Sequence, residues 1–357
     1  MQFREVVAAA VLFFSTSAVA LAVSDNTTTP PSGTEESPQI IARSDIEASE
    51  YGTTSKIHPI DNIKSDLDYE TEIIFSLGSR KGDFDWSIAS DFSGEKQPNT
   101  LSELSYFDLN ITEIAIDYQI RKRKGRFTNL YIESHISAGY IEGGSIQDSD
   151  YDGDNRSEEF SRSLSNPEGS FTFNLVNAIG IKLNFSETWR FTPLLGYAYN
   201  VQSFVIREGE QVLSTARRTP SVGQFSGLDS SYQAQWYGFW LGLISEKNVD
   251  KHYFTLRSQF HFPEYYAEAD WNLRSDFAHP KSFAHYASGS GISIKINYSY
   301  QIGKRLKLNA SYHDERWKTR NGIDTIYFED GDTASTRLNE TNWKSSSLSI
   351  GIIVTTD

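Results

Sequence analysis

The sequence predicts an all-β protein, a transmembrane antiparallel β-barrel of about ten strands with long extracellular loops. Three observations predict it. Apolar side chains recur at every second residue in ten or eleven segments, short turns alternate with long loops, and the 357 residues include 22 Phe, 19 Tyr and 7 Trp. Alternation puts one face of each segment in lipid and the other in a polar interior. Aromatic residues suit the girdles at the two water–lipid interfaces. A closed ring pairs every backbone donor, which a spanning sheet requires. The implied location is the bacterial outer membrane.

The N-terminus reads as an export signal, residues 1–22. Arg4 precedes an apolar run, and Ala18-Val19-Ala20 and Ala20-Leu21-Ala22 offer small residues at cleavage spacing. Residues 23–62 are rich in Ser, Thr, Pro and acidic residues without apolar periodicity, as expected of a disordered periplasmic extension. The barrel is expected over 63–357. No later apolar run reaches the roughly 18 residues of a membrane helix, so a helical membrane protein is excluded.

Tyr69, Thr71, Ile73, Phe75 and Leu77 share one face of the first segment. Ile114, Ile116, Tyr118 and Ile120 share a face of the second, and the basic turn Arg121-Lys122-Arg123-Lys124-Gly125 leads to Leu130, Ile132, Ile136 and Ala138. Phe171, Phe173, Leu175, Ile179, Ile181, Leu183 and Phe185 form the fourth, followed by Trp189, Phe191, Leu195, Tyr197 and Tyr199. A weaker stretch over 201–213 reads as strand or loop. Segments over 232–244 and 253–266 follow, then Ile292 to Ile302 in alternate positions, a Gly303-Lys304 turn, Leu306, Leu308, Ala310 and Tyr312, and finally Leu348, Ile350, Ile352 and Val354. The even number typical of bacterial barrels favours ten. Long outer loops are expected near 80–104, 142–169, 214–230, 267–289 and 318–342.

The inward faces carry Asn, Ser, Lys, Glu, His and Asp, and His135 is expected to hydrogen-bond within the lumen. A barrel this small tends to be filled by side chains, which argues against a wide pore. A net charge of −14 argues against nucleic acid. The absence of cysteine removes disulfides, thiolate metal sites and cysteine nucleophiles. No nucleophile elbow, zinc-protease motif, phosphate loop or dinucleotide fingerprint occurs. The membrane partners expected are outer-membrane lipid and lipopolysaccharide, for which Arg217-Arg218 offers phosphate-pairing groups.

The acidic stretch Asp148-Ser149-Asp150-Tyr151-Asp152-Gly153-Asp154, continuing to Glu159, fits a calcium loop. Alternating oxygen ligands, a Gly at the turn and a distal Glu suit a hard cation, so Asp148, Asp150, Asp152, Asp154 and Glu159 are candidate Ca2+ ligands. No amphipathic helices flank it, and a catalytic carboxylate pair or a solvated acidic loop are the other readings.

The same stretch carries a resemblance. Gly143-Gly144 followed by Asp148-Ser149-Asp150-Tyr151 is similar to the omptin segment in which paired glycines precede Asp-x-Asp and an aromatic residue. Leu104-Ser105-Tyr106, the segment Tyr232-Gln233-Ala234-Gln235-Trp236 with Gly242-Leu243, and the hairpin over 292–317 ending in Trp317 resemble further omptin strands. Omptins are ten-stranded outer-membrane proteases, so the resemblance implies an omptin-like barrel and a surface endopeptidase, or an inactive relative, acting on peptide or protein. It implies that Asp148 and Asp150 face an Asp–His pair across the barrel mouth, with a water activated between an Asp and a His. The nearest counterparts of that pair are Asp276 and His279, spaced Asp-x-x-His. Asp270-Trp271-Asn272 has the family's spacing but ends in Asn, and His285 is a third option. The alternative function is non-enzymatic: adhesin, small channel or structural barrel, with or without calcium bound in an extracellular loop.

Overall fold

The computed structural model describes residues 68–215 and 219–356. The expected signal peptide and periplasmic extension, and Arg217-Arg218, lie outside the described residues. In chain order the strands are β1 (Tyr69–Ile88), β2 (Ser102–Lys122), β3 (Leu130–Gly153), β4 (Ser157–Asn166), β5 (Phe171–Ile181), β6 (Leu183–Asn184), β7 (Trp189–Ser214), β8 (Gly223–Gln224), β9 (Asp229–Val249), β10 (His252–Asp270), β11 (Phe283–Gln301), β12 (Leu306–Thr319), β13 (Gly322–Tyr327) and β14 (Thr333–Thr356).

Neighbouring strands pair antiparallel in sequence order, β4 and β5 together forming one wall between β3 and β7, and β1 pairs with β14 to close the ring. Ten walls result, the count favoured from the pattern. The stretch over 201–213 is the upper half of β7 rather than a separate strand. Several expected loops are also strand: β1, β3, β11 and β14 run well past the apolar pattern, β4 and β13 fill the stretches between them, and short turns close the other end. Side chains alternate along each wall. Phe75, Leu77, Ile114, Leu195, Phe239, Leu241, Ile292, Ile296, Leu348 and Ile350 point outward and are exposed, so an apolar belt encircles the barrel.

The interior has two storeys. The lower one, near the short turns, is charged and paired. Arg80 lies 2.6 Å from Glu113, His135 lies 2.8 Å from Asp117, Lys182 lies 2.9 Å from Glu246, Lys307 lies 2.6 Å from Glu72, and Arg257 holds Glu133 through both guanidinium nitrogens. His135 thus has the lumen role expected of it. The upper storey departs from the polar interior that the pattern implied. Phe84, Trp86, Leu104, Tyr106, Phe204, Tyr232, Trp236, Tyr265 and Trp343 fill it, none more than 4% exposed. Tyr106 stacks on Phe204 at 4.0 Å between centroids, and Trp236 packs on Tyr265 at 4.5 Å. Above the belt the walls leave lipid, so their inward faces can afford to be as apolar as any soluble core.

One irregularity sets which side chains reach this upper storey. Below it Ile111 of β2 pairs with Ile141 of β3, and odd-numbered residues face inward. Above it Tyr106 pairs with Ile146, and even-numbered residues do. The change occurs at a bulge where Asp108 adopts φ 50° and Gly144 adopts φ 147°. At Gly144 a Cβ would lie 2.8 Å from the Phe107 carbonyl oxygen, so glycine is required there.

Candidate functional site

The bulge turns Asp148 and Asp150 toward the mouth of the barrel, on the side where Ile146 joins the aromatic plug. With the lower parity both would point outward. Asp148 sits opposite Leu104 of β2, and burial, reinforced by the Asp150 charge, holds its carboxyl well above the usual carboxylate range. Arg274, in the β10–β11 loop, works in the opposite direction on the same carboxyl. The two acids predicted as a pair are therefore together and electrostatically linked.

Asp276 and His279 are not a pair. Asp276 is gripped by Arg274, whose Nε and Nη2 lie 2.9 and 2.7 Å from its two oxygens, and these hydrogen bonds lower its pKa. His279 turns to Asp270, with Nδ1 2.6 Å from Oδ1. This hydrogen bond raises the imidazole pKa above its ordinary value. Its Nε2 lies 3.3 Å from the carbonyl oxygen of Arg274. Both ring nitrogens thus meet acceptors, the arrangement of a doubly protonated imidazole donating twice. A general base needs a free nitrogen lone pair within reach of substrate, and this ring offers none as placed. Asp148 makes no hydrogen bond or ion pair with it; the charge of that loop acting on Asp148 is Arg274.

Sequence spacing favoured Asp276 because it is near in the chain. The loop instead folds back on itself so that the last residue of β10 meets His279, a closure for which the sequence carries no local signal. His285, the third option, is 1% exposed and packed among aromatic rings, so no substrate reaches it.

The calcium-loop residues are not gathered. Asp148, Asp150 and Asp152 lie on the extended strand β3, the Asp154 Oδ1 accepts the Asn99 backbone N–H at 2.9 Å, and Glu159 is paired with Arg162. A calcium loop must curl its alternate oxygens onto one point, whereas β3 spreads them along a line. Among the described residues no group of three or more His, Cys, Asp or Glu is arranged to hold a metal ion.

Beneath the plug the lower lumen contains a cavity of about 500 Å3 reaching the short-turn end. Eight Lys and Arg side chains line it against six Asp and Glu, or seven with Glu133, the partner of Arg257. Lys295 of β11 and Arg190 of β7 line it with no ion pair to a described residue; Asp117 feels the Lys295 charge across the lumen. The upper end is bounded by Trp317 and His261, whose Nε1 and Nε2 are buried without a hydrogen-bond partner.

The Protochlamydia outer membrane protein family matches residues 74–355, and the chain belongs to it. The outer membrane protease OmpT from Escherichia coli has a similar structure, with TM-score 0.64 at 14% identity, covering 82% of this chain and 99% of that one. Looser matches are the translocator domain of the autotransporter NalP from Neisseria meningitidis, with TM-score 0.32 and 10% identity over 79% of this chain and 88% of that one, and the outer membrane protein OprG from Pseudomonas aeruginosa, with TM-score 0.29 and 9% identity over 80% and 95%. No protein of curated function matches the chain by sequence. The chain is therefore an outer-membrane β-barrel protein with the fold seen in OmpT, while membership of the omptins rests on the motifs alone.

Proposed function

We propose that this member of the Protochlamydia outer membrane protein family is a non-catalytic barrel that serves small anionic solutes as a narrow channel, held shut at its outer end. The observation that carries the reading is the charge of the lumen. The chain as a whole carries −14, yet its interior cavity has a surplus of cationic side chains, and Lys295 and Arg190 make no ion pair with a described residue. A structural barrel gains nothing from such a cavity, because desolvated charges are costly unless they do something. A low-dielectric wall focuses their field on whatever enters. The belt outside would meet lipid and lipopolysaccharide.

Planar-bilayer recording tests this. The purified barrel is expected to show intermittent, small conductances with a reversal potential favouring chloride over potassium. Lys295→Glu is expected to move that potential toward cation preference. Silent bilayers at all voltages, or a reversal potential indifferent to Lys295→Glu, would overturn it.

A second reading, surface endopeptidase, is favoured by one specific observation: a linked acid pair at Asp148/Asp150 and an Asp270–His279 contact on the loop that supplies Arg274. It requires His279 to release the Arg274 carbonyl. If it holds, cleavage of a basic fluorogenic peptide is abolished by Asp148→Ala; equal turnover by parent and variant removes Asp148 from any such role.

A further inference from the structure

A polar seam crosses the apolar plug. The hydroxyls of Tyr265 and Tyr232 are 2.6 Å apart, and that of Tyr232 is 2.9 Å from His285 Nδ1. His285 Nε2 lies 3.2 Å from Asp324 Oδ1, off the line of a good hydrogen bond, and the Thr336 hydroxyl donates to Asp324 Oδ2 at 3.1 Å. Tyr232, Tyr265, His285 and Asp324 are each at most 1% exposed. The seam links β10, β9, β11, β13 and β14. Buried polar groups in an otherwise apolar region are costly, and with His285 Nε2 off line this seam is least satisfied where β13 meets β11.

The seam ends where the wall is thinnest. β12 stops at Thr319, opposite Gly289 of β11. Above that level the gap between β11 and β14 is filled by β13 alone, which is six residues long and pairs with β11 over four. Asp324 and His285 are cross-strand partners within those four. The β10–β11 loop leans on the same piece: the Ala278 N–H donates to the Tyr327 carbonyl at 2.8 Å and the Glu329 N–H to the Asp276 carbonyl at 3.1 Å.

We propose that β13 is a shutter in the wall of the mouth and that the Asp324–His285 contact, continued through Tyr232 and Tyr265, is its latch. With the latch made, the plug is sealed. With β13 displaced, the strip of plug beside β11, including Trp86 and Phe283, opens to the outside and gives the lumen an outer exit. The purpose of the shutter rests on the channel reading; its existence does not.

The chain has no cysteine, so one reporter thiol can be read cleanly. Ala267→Cys places it in the plug, at a position 0% exposed and opposite His285 on β10. The full chain, folded in vesicles, is treated with a membrane-impermeant maleimide. Reaction is expected to be slow in this parent, and roughly tenfold faster or more when Asp324→Asn removes the charge facing His285 or Tyr232→Phe removes the hydroxyl that joins His285 to Tyr265. Asp332→Asn, at the exposed tip of the same hairpin, is expected to change nothing. Should Asp324→Asn fail to fold, the converse variant decides. Cysteines at Tyr286 and Ile323, exposed register partners on β11 and β13, oxidised to a staple, are expected to slow labelling below the parent. Labelling that ignores both latch variants and staple overturns the shutter. Labelling that responds while no variant conducts leaves the shutter standing and removes the channel.

Discussion

Replacing Arg80 by methionine asks whether the lower lumen is a low-dielectric interior or merely wet surface folded inward. Arg80 is 3% exposed, with Nη2 2.6 Å from Glu113 and Nη1 3.4 Å from Glu315. The two acids would fare differently without it. Glu315 keeps the Trp343 Nε1 donor at 2.9 Å and the Ser345 hydroxyl at 3.0 Å, whereas Glu113 keeps only the Ser137 hydroxyl at 3.4 Å. The orphaned charge is therefore chiefly that of Glu113. Removing one partner of a buried pair costs about 3–5 kcal/mol, and the neighbouring cavity relaxes the site enough to place Arg80→Met near the lower figure, about 3 kcal/mol. Arg80→Met with Glu113→Gln removes the charge with its partner and is expected within about 1 kcal/mol of the parent. Equilibrium urea unfolding of the barrel in lipid vesicles, followed by tryptophan fluorescence, measures both. A loss below about 1 kcal/mol for the single variant, the range of solvent-exposed pairs, refutes the picture of a desolvated lumen.

The same structure sets other outcomes. Asp148 has a folded-state pKa above its unfolded value, so the folded protein holds that proton more tightly, and stability falls as pH rises through the unfolded value. Asp148→Asn is thus expected to be more stable than the parent at pH 7, with the difference fading below about pH 4; urea midpoints at the two pH values check it. His279 gains a partner, so its contribution is present at acid pH and lost as pH rises through the raised folded-state value. An NMR titration should find that value above 6.5 and Asp270→Asn should return it toward 6.5; a value unmoved by Asp270→Asn breaks the pairing. Gly196→Ala would put a Cβ 2.2 Å from the Trp240 ring and 2.5 Å from the Asn177 carbonyl oxygen, and is expected to cost about 1–3 kcal/mol in the same unfolding assay. An unchanged midpoint would mean that this wall is looser than it looks. Chelator is expected to leave the melting temperature and protease sensitivity of the segment from Asp148 to Glu159 unchanged, and a drop in either would restore a cation to that segment.

Much of the barrel was legible because the lipid imposes its period directly. The outward faces of Ile114 to Ile120 and of Ile292 to Ile302 have no freedom but to be apolar, and each marks its wall. Above the belt that constraint disappears. The upper halves of β1 and β3, where Trp86, Ile146 and Asp148 sit, alternate by the needs of an internal core, so the strands read as loops and the plug was not foreseen. The Asp148/Asp150 pair was legible because i, i+2 spacing on a strand fixes a shared face. Its facing inward depended on the bulge below. The Asp270–His279 contact was not legible, since it is made by a loop closing over nine residues rather than by a periodic element.

The paired irregularity at Asp108 and Gly144 has a genetic consequence. Each adds a half-step to its own strand, and the two half-steps agree. Losing the extra residue of one strand would straighten that strand and keep Tyr106 or Ile146 inward, whereas losing a residue beyond the bulge would turn those distal to it inside out. Natural deletions that leave the barrel able to assemble should therefore fall at the two bulges, and those elsewhere in these strands only in chains that no longer assemble.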